Sequence, residues 1–185
     1  FHRMNHLLGY INTEKEILKI AKVCIEISIK DKGKIESIKL PNNYITIVIG
    51  GEWAYRTFNQ WDQVIKKLLN KNRELNIVLV GSENGKDTAE FLMDSFKELS
   101  VTNCVAKFTF NQTAEIINHS SILLCCDGGL MHAANAVNTN IIPLFSRLNQ
   151  DMQLTDSICS FALFDESDVN NISAENIYEM YVESL

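Results

Sequence analysis

The sequence predicts an α/β fold in which a parallel sheet carries helices on both faces. Three observations support that expectation. Apolar, β-rich runs recur from Tyr44 onward, amphipathic helical patterns separate them, and several of the runs end in glycine turns. Strands covered on both faces read as continuous apolar runs, and parallel neighbours need a crossover connection, which a helix supplies. Length and composition agree, since 185 residues with 46% hydrophobic and 22% charged side chains are those of an ordinary globular domain.

In chain order, residues 1–12 carry His2, Arg3 and His6 and read as the tail of a preceding element. The first residue is Phe1 and not methionine, so an upstream segment is expected. Thr13-Glu14-Lys15-Glu16 has the form of a capping box, and Ile17, Leu18, Ile20, Ala21, Cys24 and Ile25 follow at helical spacing, which predicts a helix over 13–29. The polar stretch 31–43, with Gly33 and Pro41, reads as a linker.

Ile45-Thr46-Ile47-Val48-Ile49, closed by Gly50-Gly51, is the first buried strand. A helix beginning near Thr57 or Asn59 and running through Trp61, Val64, Ile65, Leu68 and Leu69 leads to a second strand, Ile77-Val78-Leu79-Val80, stopped by Gly81-Ser82. A helix over 87–99, a short strand over 104–108 and a helix over 113–119, with Glu115 placed for capping, come next. The strand Ile122-Leu123-Leu124-Cys125-Cys126 runs into Asp127-Gly128-Gly129, then a helix holding His132 to Ala136 and the strand Ile141-Ile142-Pro143-Leu144-Phe145. The last helix starts near Ser173, with Ile177, Met180, Tyr181 and Leu185 expected to face inward. Together these describe a Rossmann-like domain over 44–185.

Bulk properties narrow the function classes. The 17 Lys and Arg against 23 Asp and Glu leave a net charge of −6, which argues against nucleic acid or an anionic membrane as partner. No apolar run approaches the roughly 18 residues of a membrane span, and no signal peptide is evident, so a cytoplasmic protein is expected. Cys24, Cys104, Cys125, Cys126 and Cys159 show no metal-binding spacing and read as buried free thiols.

In open parallel sheets, ligands sit beyond the carboxyl ends of the strands, where glycine turns and helix N-termini present backbone N–H groups. Three turns qualify. Asp127-Gly128-Gly129-Leu130-Met131-His132 opens an Ala-rich helix, and its glycines let the backbone approach a phosphate; the alternative is a tight turn capped by Asp127. His132, one turn into that helix, either faces the same mouth or packs. Gly50-Gly51 is followed by Arg56, which either grips phosphate oxygens or pairs with a carboxylate. After Gly81-Ser82, Glu83 and Asp87 are candidates for ribose hydroxyls or for ordinary helix-start roles. Lys86 completes no Walker A loop, and no Gly-x-Gly-x-x-Gly follows the first strand, which weakens NTPase, kinase and nicotinamide oxidoreductase readings.

These three turns in this order, with the segment 110–145, resemble the C-terminal domain of glycosyltransferase family 9, the ADP-heptose:lipopolysaccharide heptosyltransferases. That family's hallmark is a strand, then Asp-Thr-Gly, two residues and His, then small residues and a strand ending near Leu-Phe-Gly. Here the run is Asp127-Gly128-Gly129-Leu130-Met131-His132-Ala133-Ala134, then Ile141 to Phe145. The family's Pro-Gly turn followed by Lys-x-Trp has its counterpart in Gly50-Gly51 and Arg56-Thr57-Phe58. Gly128 replaces the usual threonine, Arg56 the lysine, and Ser146-Arg147 stands where Gly-Pro-Thr is usual.

The resemblance implies the second half of a two-domain GT-B enzyme, with 1–43 as interdomain segment and helix and 44–185 as the nucleotide-sugar-binding domain. It implies inverting transfer of heptose or a related sugar from an ADP-sugar to the lipopolysaccharide core, with no metal required and no cofactor. Gly50, Gly51, Arg56, Gly128 and Gly129 would meet the diphosphate, Asp127 the loop or sugar hydroxyls, His132 phosphate or sugar, and Glu83 or Asp87 the ribose. The general base and the acceptor site would belong to the N-terminal domain, which leaves this chain inactive alone. The full enzyme would work at the inner face of the bacterial inner membrane. The alternative is a non-catalytic binding or scaffold module derived from such a transferase.

Overall fold

The apolar runs do fold as strands, and the computed structural model, which describes residues 23–148, 150–154 and 160–185, joins them into one six-stranded sheet. The strands are β1 (Ile45–Val48), β2 (Ile77–Val80), β3 (Val101–Asn103), β4 (Leu123–Cys126), β5 (Ile141–Ser146) and β6 (Leu163–Asp165). All pairings are parallel, in the order β3-β2-β1-β4-β5-β6. The helices are α1 (Ile29–Glu36), α2 (Trp61–Lys71), α3 (Lys86–Ser95), α4 (Phe110–Asn118), α5 (Gly129–Val137), the short α6 (Gln150–Gln153) and α7 (Ala174–Glu183). This is the expected Rossmann-like arrangement.

Alternation along each strand sends neighbouring side chains to opposite faces. Ile45, Ile47 and Ile49 join Ile77, Leu79, Leu124 and Leu144 in a core with Trp61, Val64, Ile65 and Leu68 of α2 and Ile177 of α7. On the other face, Leu123, Cys125, Ile141 and Phe145 pack with Ile117 of α4 and Met131 and Ala134 of α5, while Val78 and Val80 meet Ile35 of α1 and Ile116 of α4. Each fully buried side chain of this size contributes about 1.5–3 kcal/mol of transfer free energy. The two faces therefore share the stabilisation, as the unbroken apolar runs require.

Helix ends are satisfied by residues distant in sequence. The Tyr44 hydroxyl donates to the carbonyl of Ile116 at 2.6 Å and the Thr139 hydroxyl to that of Ile117 at 3.0 Å. Both carbonyls belong to the last turn of α4, where the i+4 donors run out, and that of Ile117 also takes the backbone N–H groups of His119 and Ser120. Burial drives the Tyr44 hydroxyl pKa upward, so it stays a donor.

Several boundaries differ from the sequence reading. The expected helix over 13–29 falls mostly outside the described residues, but its end, 23–28, is not helical. A helix follows at α1, which starts at Ile29 and runs into the expected linker. Ser28 accepts from the Asp31 N–H at 3.1 Å as its N-cap, and Ile35 is buried against α4, so tertiary packing stabilises a segment whose local pattern is polar. The third strand is Val101–Asn103 and not 104–108, because Val101 pairs with Ile77, and Ala106 at φ 56 turns the chain away.

The helix α4 starts three residues before the expected Thr113, because Thr109 and Gln112 form the capping box. Glu115 caps nothing; it is buried and bonds the His119 ring at 3.1 Å. The helix α2 starts at Trp61, after a 3-10 turn at Ala54–Arg56, and α3 ends at Ser95. The strand β6 and helix α6 are additions that the alternation did not announce. Ser173 does cap α7, but Leu185 is exposed, not inward. Cys104 and Cys125 are buried free thiols, Cys24 is exposed, and Cys159 lies outside the described residues.

Candidate functional site

Strand order reverses between β1 and β4, which places their two turns side by side at the carboxyl edge. A cavity of about 520 Å³ opens there, lined by the turns after β1, β2 and β4 and by the segment entering α4. It brings together Gly50, Gly51, Arg56, Glu83, Asp127, Gly128 and Gly129 of the sequence-derived set. Asp87 and His132 do not line it; both are exposed in the first turns of α3 and α5.

The β1 and β2 turns touch through backbone. Gly50 has φ 87, where a side chain is strained, and a Cβ built on Gly81 would lie 2.2 Å from the Ile49 carbonyl oxygen. Asn84 then ties the turns, donating from Nδ2 to the Gly51 carbonyl at 2.7 Å and accepting from the Ser82 hydroxyl at 2.8 Å. Glu83 is exposed at the rim and pairs with Lys86.

The Arg56 guanidinium donates from Nη1 to Asp127 Oδ2 at 2.9 Å, with side-chain exposures of 25% and 9%. Both readings of Arg56 therefore meet in one place, because its carboxylate partner is itself a cavity residue. Gly128 and Gly129 follow Asp127 into α5, whose N-terminus has no side-chain cap. Its first N–H groups and the positive end of the helix dipole are left for an anion. The aromatics of the first loop divide: Phe58 packs edge-on against Trp61 with centroids 4.9 Å apart, Tyr55 carries the Arg147 guanidinium at 3.8 Å, and Trp53 is exposed.

The opposite wall is apolar, formed by Ala106, Phe108, Phe110 and Leu130. Phe110 is 50% exposed although it is a large apolar side chain. Cys126 also lines the cavity, but burial pushes its thiol up to about 12, so it is protonated at neutral pH and is not a nucleophile. The described residues hold no group of three or more His, Cys, Asp or Glu able to bind a metal ion. No helix among them is long and apolar enough to cross a membrane.

The sequence model of glycosyltransferase family 9 (heptosyltransferase) matches residues 14–174. The chain belongs to glycosyltransferase family 9. Among solved structures, a family 9 glycosyl transferase from Veillonella parvula is similar at TM-score 0.76 and 14% identity, covering 88% of this chain and 53% of that one. The E. coli ADP-heptose lps heptosyltransferase II gives 0.69 and 16%, over 87% and 53%. The E. coli heptosyltransferase WaaC with ADP-2-deoxy-2-fluoro heptose gives 0.67 and 12%, over 85% and 48%. At such identities the likeness is one of fold, and the chain spans about half the length of these structures. No protein of curated function matches it by sequence.

Within this family 9 chain, sequence reasoning missed Asn84, Phe108 and Phe110. A signal for Phe110 was present, since Thr109-Phe110-Asn111-Gln112 has capping-box form and puts Phe110 at a helix start. Asn84 carries no such mark, because its partner is a carbonyl 33 positions away.

Proposed function

We propose that this chain is the donor-binding half of an inverting glycosyltransferase that transfers heptose, or a related sugar, from an ADP-sugar to the lipopolysaccharide core. The observation that carries the reading is the polar end of the cavity, where two glycine turns, an uncapped helix N-terminus and the Arg56–Asp127 pair converge at the switch point of the sheet. A diphosphate placed there would meet the N–H groups around Gly50, Gly51, Gly128 and Gly129 and the guanidinium N–H groups that Asp127 does not occupy. Glu83 would reach the ribose, and the apolar wall would cover the base. Asp87 and His132, which do not line the cavity, would meet only a part of the donor that extends beyond it.

In the transfer, an acceptor hydroxyl oxygen bonds to the anomeric carbon, the glycosidic C–O bond breaks, and the diphosphate leaves with the electron pair. Negative charge on the diphosphate rises as that bond lengthens, so fixed donors and Arg56 stabilise the transition state more than the bound donor. Asp127 orients the guanidinium, and in the reading it also meets sugar hydroxyls. The hydroxyl proton passes to a base on the N-terminal domain, which also holds the acceptor at the cytoplasmic face of the inner membrane. Neither metal nor cofactor enters this scheme, and this chain alone would not turn over.

Calorimetric titration with ADP, UDP and NAD, each with and without magnesium, tests the reading. Selective, metal-independent ADP binding that Arg56→Ala and Asp127→Ala reduce to a weak, still measurable remnant is the expected result. Gly128 and Ser146-Arg147, which depart from the family pattern, favour a second reading as a non-catalytic module. Absence of all nucleotide binding would support that second reading.

A further inference from the structure

We propose that Asn170 is a positioning residue for Arg56, holding the base of the arginine's loop while Asp127 holds its tip. The proposal rests on the donor-site reading only for what Arg56 does to a ligand. The placement of Arg56 stands on hydrogen bonds alone.

The loop from β1 to α2 carries Arg56 at the end of its 3-10 turn, after which Thr57 is extended. An arginine on a loop samples many positions unless the backbone on both sides is tied. The turn before it is closed by Arg56 N–H to the Trp53 carbonyl at 3.1 Å and by the Thr57 hydroxyl to the same carbonyl at 2.8 Å. Beyond it, two backbone groups need partners, and one side chain from the far end of the chain meets both. Asn170 Nδ2 donates to the Thr57 carbonyl at 3.0 Å, and Asn170 Oδ1 accepts from the Asn59 N–H at 2.8 Å. The carboxamide thus acts as a peptide unit of a neighbouring strand would. Gln60 Nε2 adds a bond to the Asn170 carbonyl at 2.9 Å.

Asn170 is itself held. Asp168 Oδ1 accepts from both Asn170 N–H and Nδ2 at 2.8 Å, which leaves the amide oxygen only the Asn59 side. The 3-10 turn Val169–Asn171 that bears it is anchored by the buried Val169 and Ile172. A hydrogen-bonded path therefore runs from Asp168 through Asn170 to the backbone after Arg56. A second contact, at Asp127, fixes the guanidinium. Of the uncharged polar side chains, asparagine has the length and the paired donor and acceptor for this bridge; serine has one atom for the two bonds.

A double-mutant cycle tests it. ADP and inorganic pyrophosphate are titrated into the wild type, Asn170→Ala, Arg56→Ala and the double variant, with thermal melting of each. Asn170→Ala is expected to weaken both ligands about fivefold with Arg56 present and to have no further effect without it, as coupled positions behave. The melting temperature should fall in both backgrounds, by somewhat less without Arg56, since the pair with Asp127 is then already lost. Asn170→Ser, which keeps the position polar, should give the same pattern and serves if the alanine variant does not fold. Equal weakening in both backgrounds, or none in either, overturns the proposal. If the wild type binds neither ligand, the donor reading fails on its own. The positioning is then read from phenylglyoxal modification of Arg56, expected to speed severalfold in Asn170→Ala; an unchanged rate overturns it.

Discussion

Arg56 and Asp127, 71 positions apart, form an ion pair of 2.9 Å at the mouth of the cavity, with the carboxylate nearly enclosed and the guanidinium part-exposed. A pair so placed is worth little by itself but costs more when halved, because one charge is then left without its partner. Solvent at Arg56 screens part of that cost. Arg56→Ala is expected to destabilise the domain by about 1 kcal/mol, and Arg56→Ala with Asp127→Ala by less than the sum of the single changes. Urea unfolding of the four proteins measures it; strict additivity would mean that the pair is not coupled.

The glycines of the site are not equivalent. Gly128, at φ 167, is in ordinary extended backbone, and a Cβ there meets nothing within 4 Å. Gly128→Thr, which restores the family's usual residue, should fold with stability within about 0.5 kcal/mol of the parent or above it, since threonine restricts the unfolded chain. Gly81→Ala places its Cβ 2.2 Å from the Ile49 carbonyl and should cost about 1–3 kcal/mol through forced backbone movement. Melting curves that rank the two variants the other way would show the close approach to be wrong.

Thiol reactivity should follow burial. Cys24 is exposed, whereas burial raises the pKa of Cys104, Cys125 and Cys126 above the ordinary thiol value. Maleimide at pH 7.5, a pH chosen from the roughly 8.5 of a free thiol, should label the Cys24 peptide quickly and spare the other three in folded protein. Rapid labelling of Cys126 would mean that the cavity wall is open. Peptide mapping by mass separates these sites from Cys159.

The Asp165 carboxylate should make stability acid-sensitive. Its Oδ1 accepts from the N–H groups of Ser167 and Asp168, the Ser167 hydroxyl and Asn171 Nδ2. These bonds hold its pKa well below the usual 3.8. A depressed folded pKa adds stability that is complete above the unfolded pKa and is lost as pH falls through the folded one. Urea midpoints of the wild type and Asp165→Asn should therefore keep a constant gap above about pH 5 and converge as the pH drops below about 4, the ordinary aspartate range. A gap that is flat down to pH 2 would refute the assignment.

Much of the fold was legible because its signals are local. Ile77-Val78-Leu79-Val80 is bounded by polar and glycine residues and folds as read, and the heptad-like spacing of Trp61, Val64, Ile65, Leu68 and Leu69 matches the buried face of α2. Elements whose order depends on a neighbour were missed. Val101 is a strand residue because Ile77 is beside it, α1 is a helix whose buried Ile35 meets α4, and β6 exists because β5 offers an edge.

By itself the sequence determined the parallel α/β class, the three glycine turns at strand ends and the resemblance to family 9, since apolar periodicity and glycine placement act over a few residues. Tertiary structure alone decided that Arg56 meets Asp127, that Asn84 joins two turns, that Asn170 grips the loop from over a hundred positions away, and that His132 stands outside the cavity. Strand order and helix rotation choose which distant side chains share a site. Those choices come from packing the whole core, which no local pattern encodes.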